Sequence, residues 1–256
     1  MNGKLYITAT PIGNLSDITL RALETLKEVD FVLCEDTRVT KKLLDKFEIK
    51  TPTISYHQHS DAKKVKEIEE LLDSGKNLAL VTDAGTPGIS DPGNLLIHEI
   101  LKHTVISTEA KRSGEIPSNT KGSLDSARDD NEVVKNGGGI KIIPIPGPSA
   151  VISALSISGF PTDKYIFMGF PPNKNKRLKY FKEIAESKYT VAFYESSHKI
   201  KKCLDNLKEV LDNKRQIVIG RELTKMHETI YRGAIDELLE MNIKEKGEFV
   251  VVVSSK

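Results

Sequence analysis

Two cysteines in 256 residues, Cys34 and Cys203, cannot build a disulfide framework, and no Cys-x-x-Cys pair is present. That usage fits a reducing cytoplasm. No window approaches about 18 uninterrupted apolar residues, the length a membrane-spanning helix needs, and mean hydropathy is −0.31. The opening MNGKLYITATPIG enters a strand-like run at once, without the charged, apolar and small-residue sections of a signal peptide. The expectation is a soluble, cytoplasmic protein with no membrane partner. A formal net charge of only +2 excludes a polycation. Nucleotide fingerprints are missing too: no GxGxxG follows the first strand-like run, and there is no GxxxxGK[ST]. No Gly-x-Ser-x-Gly elbow appears, and neither cysteine has the setting of a nucleophile. No Cys or carboxylate stands at metal-ligand spacing beside the His57 and His59 pair, so no metal is expected and a polar rim is the plainer role for these histidines.

What the chain does have is glycine and proline at the ends of apolar runs. Leu78-Ala79-Leu80-Val81 leads into TDAGTPGISDPG, with three Gly and two Pro between Asp83 and Gly93. This reads as a buried strand delivering a sharply bent loop, in which Gly85 and Gly88 let a ligand approach the backbone. Asp83, Thr86, Ser90 and Asp91 are its polar handles. Similar corners follow other strand-like runs at Thr10–Asn14, Cys34–Arg38 and Pro146–Ala150. In open α/β sheets ligands sit outside the carboxyl ends of strands. Four such exits predict a small-molecule site built mainly from backbone.

Strand-like and helix-like segments alternate along the chain, which predicts a largely parallel α/β sheet, with a second α/β domain from about Ser149. Strands are expected at Leu5–Ala9, Asp30–Cys34, Thr53–Tyr56, Asn77–Thr82, Lys141–Ile145, Thr190–Tyr194, Gln216–Gly220 and Glu248–Val253, and Tyr165–Phe170 precedes the basic segment. Helices are expected after Ser16 or Asp17 on Leu20, Leu23 and Leu26, then at Lys41–Phe47, Ala62–Leu72, Asn94–Lys102, Val151–Ile157, Leu178–Ser187, Ile200–Leu211 and Ala234–Met241. Between Lys102 and Ile140 the sequence is rich in Ser, Asn, Gly and charge and shows neither period. Connections of this kind run about 2–6 residues, so 103–139 reads as an insertion, mostly disordered. It precedes a strand and so belongs to the rim opposite the proposed loops. Deleting Val105–Asn136 should leave catalysis intact; a folded but inactive deletion would refute that placement.

Glu35-Asp36-Thr37-Arg38 sets two carboxylates beside a guanidinium, either a functional group or acids offsetting a helix dipole. Phe193-Tyr194 could stack on a base, although core packing is the default for aromatics. Lys174, Lys176, Arg177, Lys179 and Lys182 form a basic run with no acid among them, and His198, Lys199, Lys201 and Lys202 form another. Such runs are usually solvated faces unless they flank a site.

TPIGNLSDITLRAL, CEDTR, SYHQHS, DAGTPGISDPG, IPGPSA, FYES, RELTK and GEFV together resemble, in order, the small-subunit ribosomal RNA (cytidine-2′-O)-methyltransferase family of the tetrapyrrole methylase-like superfamily. The resemblance covers nearly the whole chain outside the insertion. It implies two α/β domains, 1–147 and 148–256, with S-adenosylmethionine (SAM) in the interdomain cleft, and a homodimer. It implies methyl transfer to a cytidine ribose in the decoding region of small-subunit rRNA, free or in the assembled subunit. Carried onto this sequence, Asp83, Ala84, Gly85, Thr86, Pro87 and Gly88 resemble the SAM loop. Ile12, Gly13, Asn14, Gly147, Pro148, Ser149, Phe193 and Tyr194 look like the other cofactor walls. The chain departs from the family at Val39, where His is common after CEDTR, and at Ser197 and Lys199, where ESPHR is usual.

Methyl transfer to a ribose hydroxyl needs in-line placement and a base. Glu35, Asp36, His57 and Glu195 are the candidates, and the Glu35, Asp36, Arg38 group is favoured, with Arg38 suited to anchoring a phosphate. Lys174, Lys176, Arg177, Lys179 and Lys199 would hold RNA backbone, with salt-dependent affinity. Two other classes share parts of this pattern: a methylase of a small tetrapyrrole, and a non-catalytic RNA-binding protein.

Overall fold

The computed structural model describes residues 2–57, 60, 62–91, 93–112 and 139–256, with backbone alone for 103–112. Two compact units emerge. The first comprises Met1–Thr8, Leu20–Asp83 and Pro87–Pro146; the second comprises Ala9–Thr19, Ala84–Thr86 and Gly147–Lys256. Two short pieces of the N-terminal half therefore pack with the C-terminal half.

The first unit is built on a five-stranded parallel sheet. Its strands are β1 (Lys4–Thr8), β2 (Phe31–Cys34), β3 (Thr53–Ser55), β4 (Leu78–Leu80) and β5 (Lys141–Ile145), in the order β3-β2-β4-β1-β5. The short apolar runs of β2 and β4 are almost entirely buried, as a sheet covered on both faces requires. Helices α1 (Leu20–Glu28), α2 (Thr37–Lys46), α3 (Ala62–Asp73) and α4 (Gly93–Arg112) connect them. Leu5, Leu33, Tyr56, Ile68, Leu72, Leu78, Leu96 and Ile100 close one core.

Three local expectations shift. Asn14, rather than Ser16 or Asp17, caps the first turn, its Oδ1 accepting from the Ser16 N–H at 3.0 Å, and that turn is a 3-10 piece at Leu15–Asp17. The helix proper starts at Leu20, which is 79% exposed, while Ala22, Thr25 and Leu26 face inward. α2 begins four residues earlier than its apolar period suggests, because Asp36 caps it and accepts from the Arg38 N–H at 2.8 Å. α4 runs past Lys102 to Arg112; the remainder of the expected insertion, 113–138, lies outside the described residues.

The second unit carries strands β6 (Tyr165–Phe167), β7 (Thr190–Glu195), β8 (Gln216–Arg221), β9 (Thr229–Ala234) and β10 (Phe249–Val253), in the order β6-β7-β10-β8-β9. Only β6 and β7 pair in parallel; β10 pairs antiparallel with both β7 and β8, and β8 with β9. This corrects the expectation of a largely parallel sheet here. Alternation of element types cannot show strand direction, and β9 escapes the sequence reading because its burial is mixed. Helices α5 (Ala150–Ser156), α6 (Arg177–Glu186), α7 (Ile200–Val210) and α8 (Ile235–Glu240) complete the unit. Phe181, Phe193, Leu204, Ile219 and Val251 belong to the core on one face of the sheet; Ala154, Ala192, Val218 and Val250 belong to the other. Among the described residues no helix is long and apolar enough to cross a membrane.

Candidate active site

In the first unit the chain leaves β2 toward β3 on one side and leaves β4 toward β5 on the other, although β2 and β4 are neighbours. This reversal is a topological switch point, the place where open α/β sheets receive ligands at their carboxyl ends. Glu35 and Asp36 follow β2, and Thr82 and Asp83 follow β4. The Asp36 N–H donates to Asp83 Oδ1 at 3.3 Å and joins the two exits. Beside them a cavity of about 10 Å³ is lined by Glu35, Tyr56, Thr82, Asp91 and apolar neighbours, room for a single water. Asp91 shapes the loop: its Oδ1 accepts from the Gly88 N–H at 2.7 Å and from the Gly93 N–H, at the start of α4, at 2.8 Å.

The carboxylates differ in character. Burial lifts the Glu35 carboxyl above its ordinary range, and the charges of Asp83 and Asp91 lift it further against a smaller opposing effect of His57. Asp83 is raised by partial desolvation, against the lowering effect of the hydrogen bond from the Asp36 N–H and with a smaller push from the Asp36 charge, although the residue stands at the exposed edge of its loop. Asp36 goes the other way. Its oxygens accept from Arg38 Nε at 3.0 Å and Nη2 at 2.7 Å, which holds its pKa down to about 2. His57 is an exposed loop residue beyond β3, its N–H donating to Ser60 Oγ at 3.0 Å; His59 lies outside the described residues.

The second unit gathers three of the expected corners. Thr10 and Gly85 exchange backbone hydrogen bonds of 2.9 and 3.1 Å. Gly85 holds φ at 87°, a left-handed conformation that glycine adopts without steric cost. Thr86 Oγ1 donates to the Pro148 carbonyl at 3.2 Å, and the Asn14 N–H donates to Thr224 Oγ1 at 3.1 Å. Together these loops bound a cavity of about 310 Å³, lined by Ile12, Gly147 and Pro148 and by the polar side chains of Asp17, Thr19, Ser153 and Thr224. That volume lies at the lower end of the range for small-molecule pockets. Gly147 sits close against its neighbour: a Cβ there would lie 3.0 Å from the Ala9 Cβ, a tight contact.

Not every expected residue reaches a ligand-facing position. Phe193 is wholly buried, its ring 6.0 Å from Phe181 and 5.9 Å from Tyr180, so it is core and not a cofactor wall. Tyr194, one residue on, points to the other face and packs on Phe167 and Phe170. Arg177 leaves the basic surface: it is 6% exposed and pairs with Glu195, itself 2% exposed, at 2.7 Å. Lys174, Lys176 and Lys179 are exposed, while Lys199 donates from Nζ to Asn173 Oδ1. The sequence reading missed Asp17, Thr19, Ser153 and Thr224 as pocket walls. RELTK carries one usable signal only in the structure, where Thr224 sits at φ 65°, a backbone that turns its hydroxyl toward Asn14.

The family profile described as Tetrapyrrole (Corrin/Porphyrin) Methylases matches residues 4–110 and 130–239. The chain belongs to the tetrapyrrole methylase family. Among its relatives is the ribosomal RNA small subunit methyltransferase I of Thermotoga maritima, 39% identical over 99% of both chains. The Vibrio cholerae protein of the same name is 41% identical over 97% of this chain and 76% of its own. Solved tetrapyrrole methylases share the fold at low identity. The methyltransferase CobJ superposes with a TM-score of 0.62 at 16% identity, over 99% of this chain and 94% of that one. A cobalt precorrin-4 methyltransferase superposes with a TM-score of 0.59 at 19% identity, over 98% and 94%. The two α/β units are therefore those of a tetrapyrrole methylase, and the long motif resemblance rests on a full-length family match.

Proposed function

We propose that the chain moves the methyl group of SAM to the ribose 2′-oxygen of a cytidine in the decoding region of small-subunit rRNA. The observation that carries this reading is the near-complete alignment, at 39% identity, with a protein named for methylation of that RNA. The second-unit cavity supports SAM as the donor. Ile12 and Pro148 offer apolar walls, Thr19, Ser153 and Thr224 offer hydroxyls, and Asp17 offers a carboxylate to a cationic ligand. Ala84, Gly85 and Thr86, with Gly147 to Ser149, supply the backbone corners, and Asp83, Pro87 and Gly88 shape the neighbouring turn.

SAM, when bound, supplies an electrophilic methyl group. The protein must align the ribose and take its hydroxyl proton. Glu35 is the base in this reading: its raised pKa brings its proton affinity toward that of a working base. Asp36 is engaged with Arg38 and capping α2, so it orients and does not abstract. Glu195 is buried in its pair with Arg177. The one-water cavity beside Glu35, with Thr82 and Tyr56 on its wall, gives the proton an exit. Arg38, whose side chain is 85% exposed, and Lys174, Lys176, Lys179 and Lys199 take phosphates. The protein is read as a cytoplasmic homodimer that acts on rRNA free or in the small subunit.

The test is incubation of the purified protein with labelled SAM and small subunits, naked rRNA or a corrinoid precursor. Nucleoside mass mapping should return 2′-O-methylcytidine. Label on the corrinoid alone, or on no acceptor, would overturn the reading.

A further inference from the structure

Phe170 is 54% exposed, more than Tyr165 at 40% or Tyr189 at 37%. The loop that carries it is held in place. The Met168 N–H donates to the Ala192 carbonyl at 2.9 Å, and the Tyr194 N–H to the Gly169 carbonyl at 2.8 Å. Gly169 turns the chain with φ at 63°. The Phe170 ring leans on Tyr194 at 5.3 Å, and Tyr194 is braced edge-on by Phe167 at 4.9 Å. The ring is thus presented on a stacked aromatic base.

Downstream, Arg177 fixes the other end of the loop. Its Nη1 donates to the Pro172 carbonyl at 3.3 Å, its Nε to Asn206 Oδ1 at 3.0 Å and its Nη2 to Glu195 Oε2 at 2.7 Å. Between these anchors Lys174 and Lys176 stand exposed, followed by Lys179 on α6, with no acidic residue from Asn173 to Lys182. Lys199 closes on Asn173 from the second basic run. Lys174 lies four positions after Phe170, so their Cα atoms are at most about 14 Å apart. A rigid exposed ring within that reach of several cations matches a single strand, which offers both π-faces and phosphates.

We infer that Phe170 stacks on an unpaired base of the RNA while Lys174, Lys176 and Lys179 neutralise its phosphates, an inference that rests on RNA being the substrate. The experiment is anisotropy of the full chain with a short fluorescein-labelled single-stranded RNA across a salt series. F170A and F170L should each weaken binding about tenfold or more, whereas F170W holds wild-type affinity. Neither weak variant should change the slope of log K against log salt, because no phosphate contact is lost. K174Q should reduce that slope by about 0.7. Melting temperatures of F170L and wild type should agree within a few degrees, since more than half of the ring is exposed and Leu keeps apolar bulk against Tyr194. Wild-type affinity in F170L, which keeps apolar bulk without a π-face, overturns the inference, as does a loss of self-association in F170A with RNA affinity intact. A wild type that fails to bind RNA in a salt-dependent way sinks the substrate reading with it.

Discussion

Glu35→Gln should lower the single-turnover rate of methyl transfer by about 10² to 10⁴, the usual worth of a positioned base. Calorimetric affinity for SAM should stay as in the wild type, because the cavity assigned to it is lined by other residues. Asp36→Asn should cost less in rate and leave α2 capped. It keeps a capping oxygen for α2 but loses the two-pronged pairing with Arg38. The pH dependence separates the two residues. An active base must be ionised, so the rate should rise with pH through the Glu35 pKa, which lies above the ordinary value of about 4.3. Asp36, at about 2, is already ionised throughout that range and adds no slope. Stability should move oppositely to activity in Glu35→Gln. A carboxyl whose folded pKa is raised opposes folding once ionised, so the unfavourable contribution is present above the folded pKa and vanishes below the unfolded one. The Gln variant should therefore melt at or above the wild-type temperature at neutral pH and lose any advantage in acid. A Gln variant with wild-type turnover removes Glu35 from the chemistry.

The fold's outline was legible because it depends on local signals. Apolar runs ended by Gly/Pro corners marked β1, β4 and β5, and the charged stretch Glu35-Asp36-Thr37-Arg38 marked the end of β2; these exits are where the structure places its two cavities. Strand direction was not legible, since β7 and β10 read alike whichever way they run; a connection through α8 and the antiparallel β9 decides it. The same gap explains Phe193 and Tyr194. Period-2 alternation says that one of them faces the core, but only the packing of Phe181 and Tyr180 shows which. Charge was the least legible feature. Arg177 looked like one of five solvated cations, and nothing in its neighbours announces a partner 18 residues away. Asp17 and Thr224 belong to one pocket while standing more than 200 positions apart, a long-range pairing that no periodicity encodes.

That buried pair sets the second large expectation. Glu195→Ala should destabilise the protein by about 3–5 kcal/mol, because it strands the Arg177 guanidinium in a site that is 6% exposed. Against a typical total of about 5–15 kcal/mol this is a large loss, and a fall in melting temperature of about 10–25 °C follows for a unit of this size. The removal is not softened by solvent, since Arg177 is buried, with Nε held by Asn206 and Nη1 by Pro172. Replacing both partners with apolar residues, R177M with E195L, should recover most of the loss, because the cost lies in the unpaired charge and not in the missing attraction. The double variant also distinguishes a structural Glu195 from a catalytic one. With the loop anchor gone, the KM for RNA should rise, while kcat at a temperature where the variant is folded should stay within severalfold of the wild type. A base at Glu195 would instead remove about 10² to 10⁴ from kcat in the same protein, with KM spared. Recovery of the melting temperature without recovery of turnover would return Glu195 to the reaction and displace Glu35 from it.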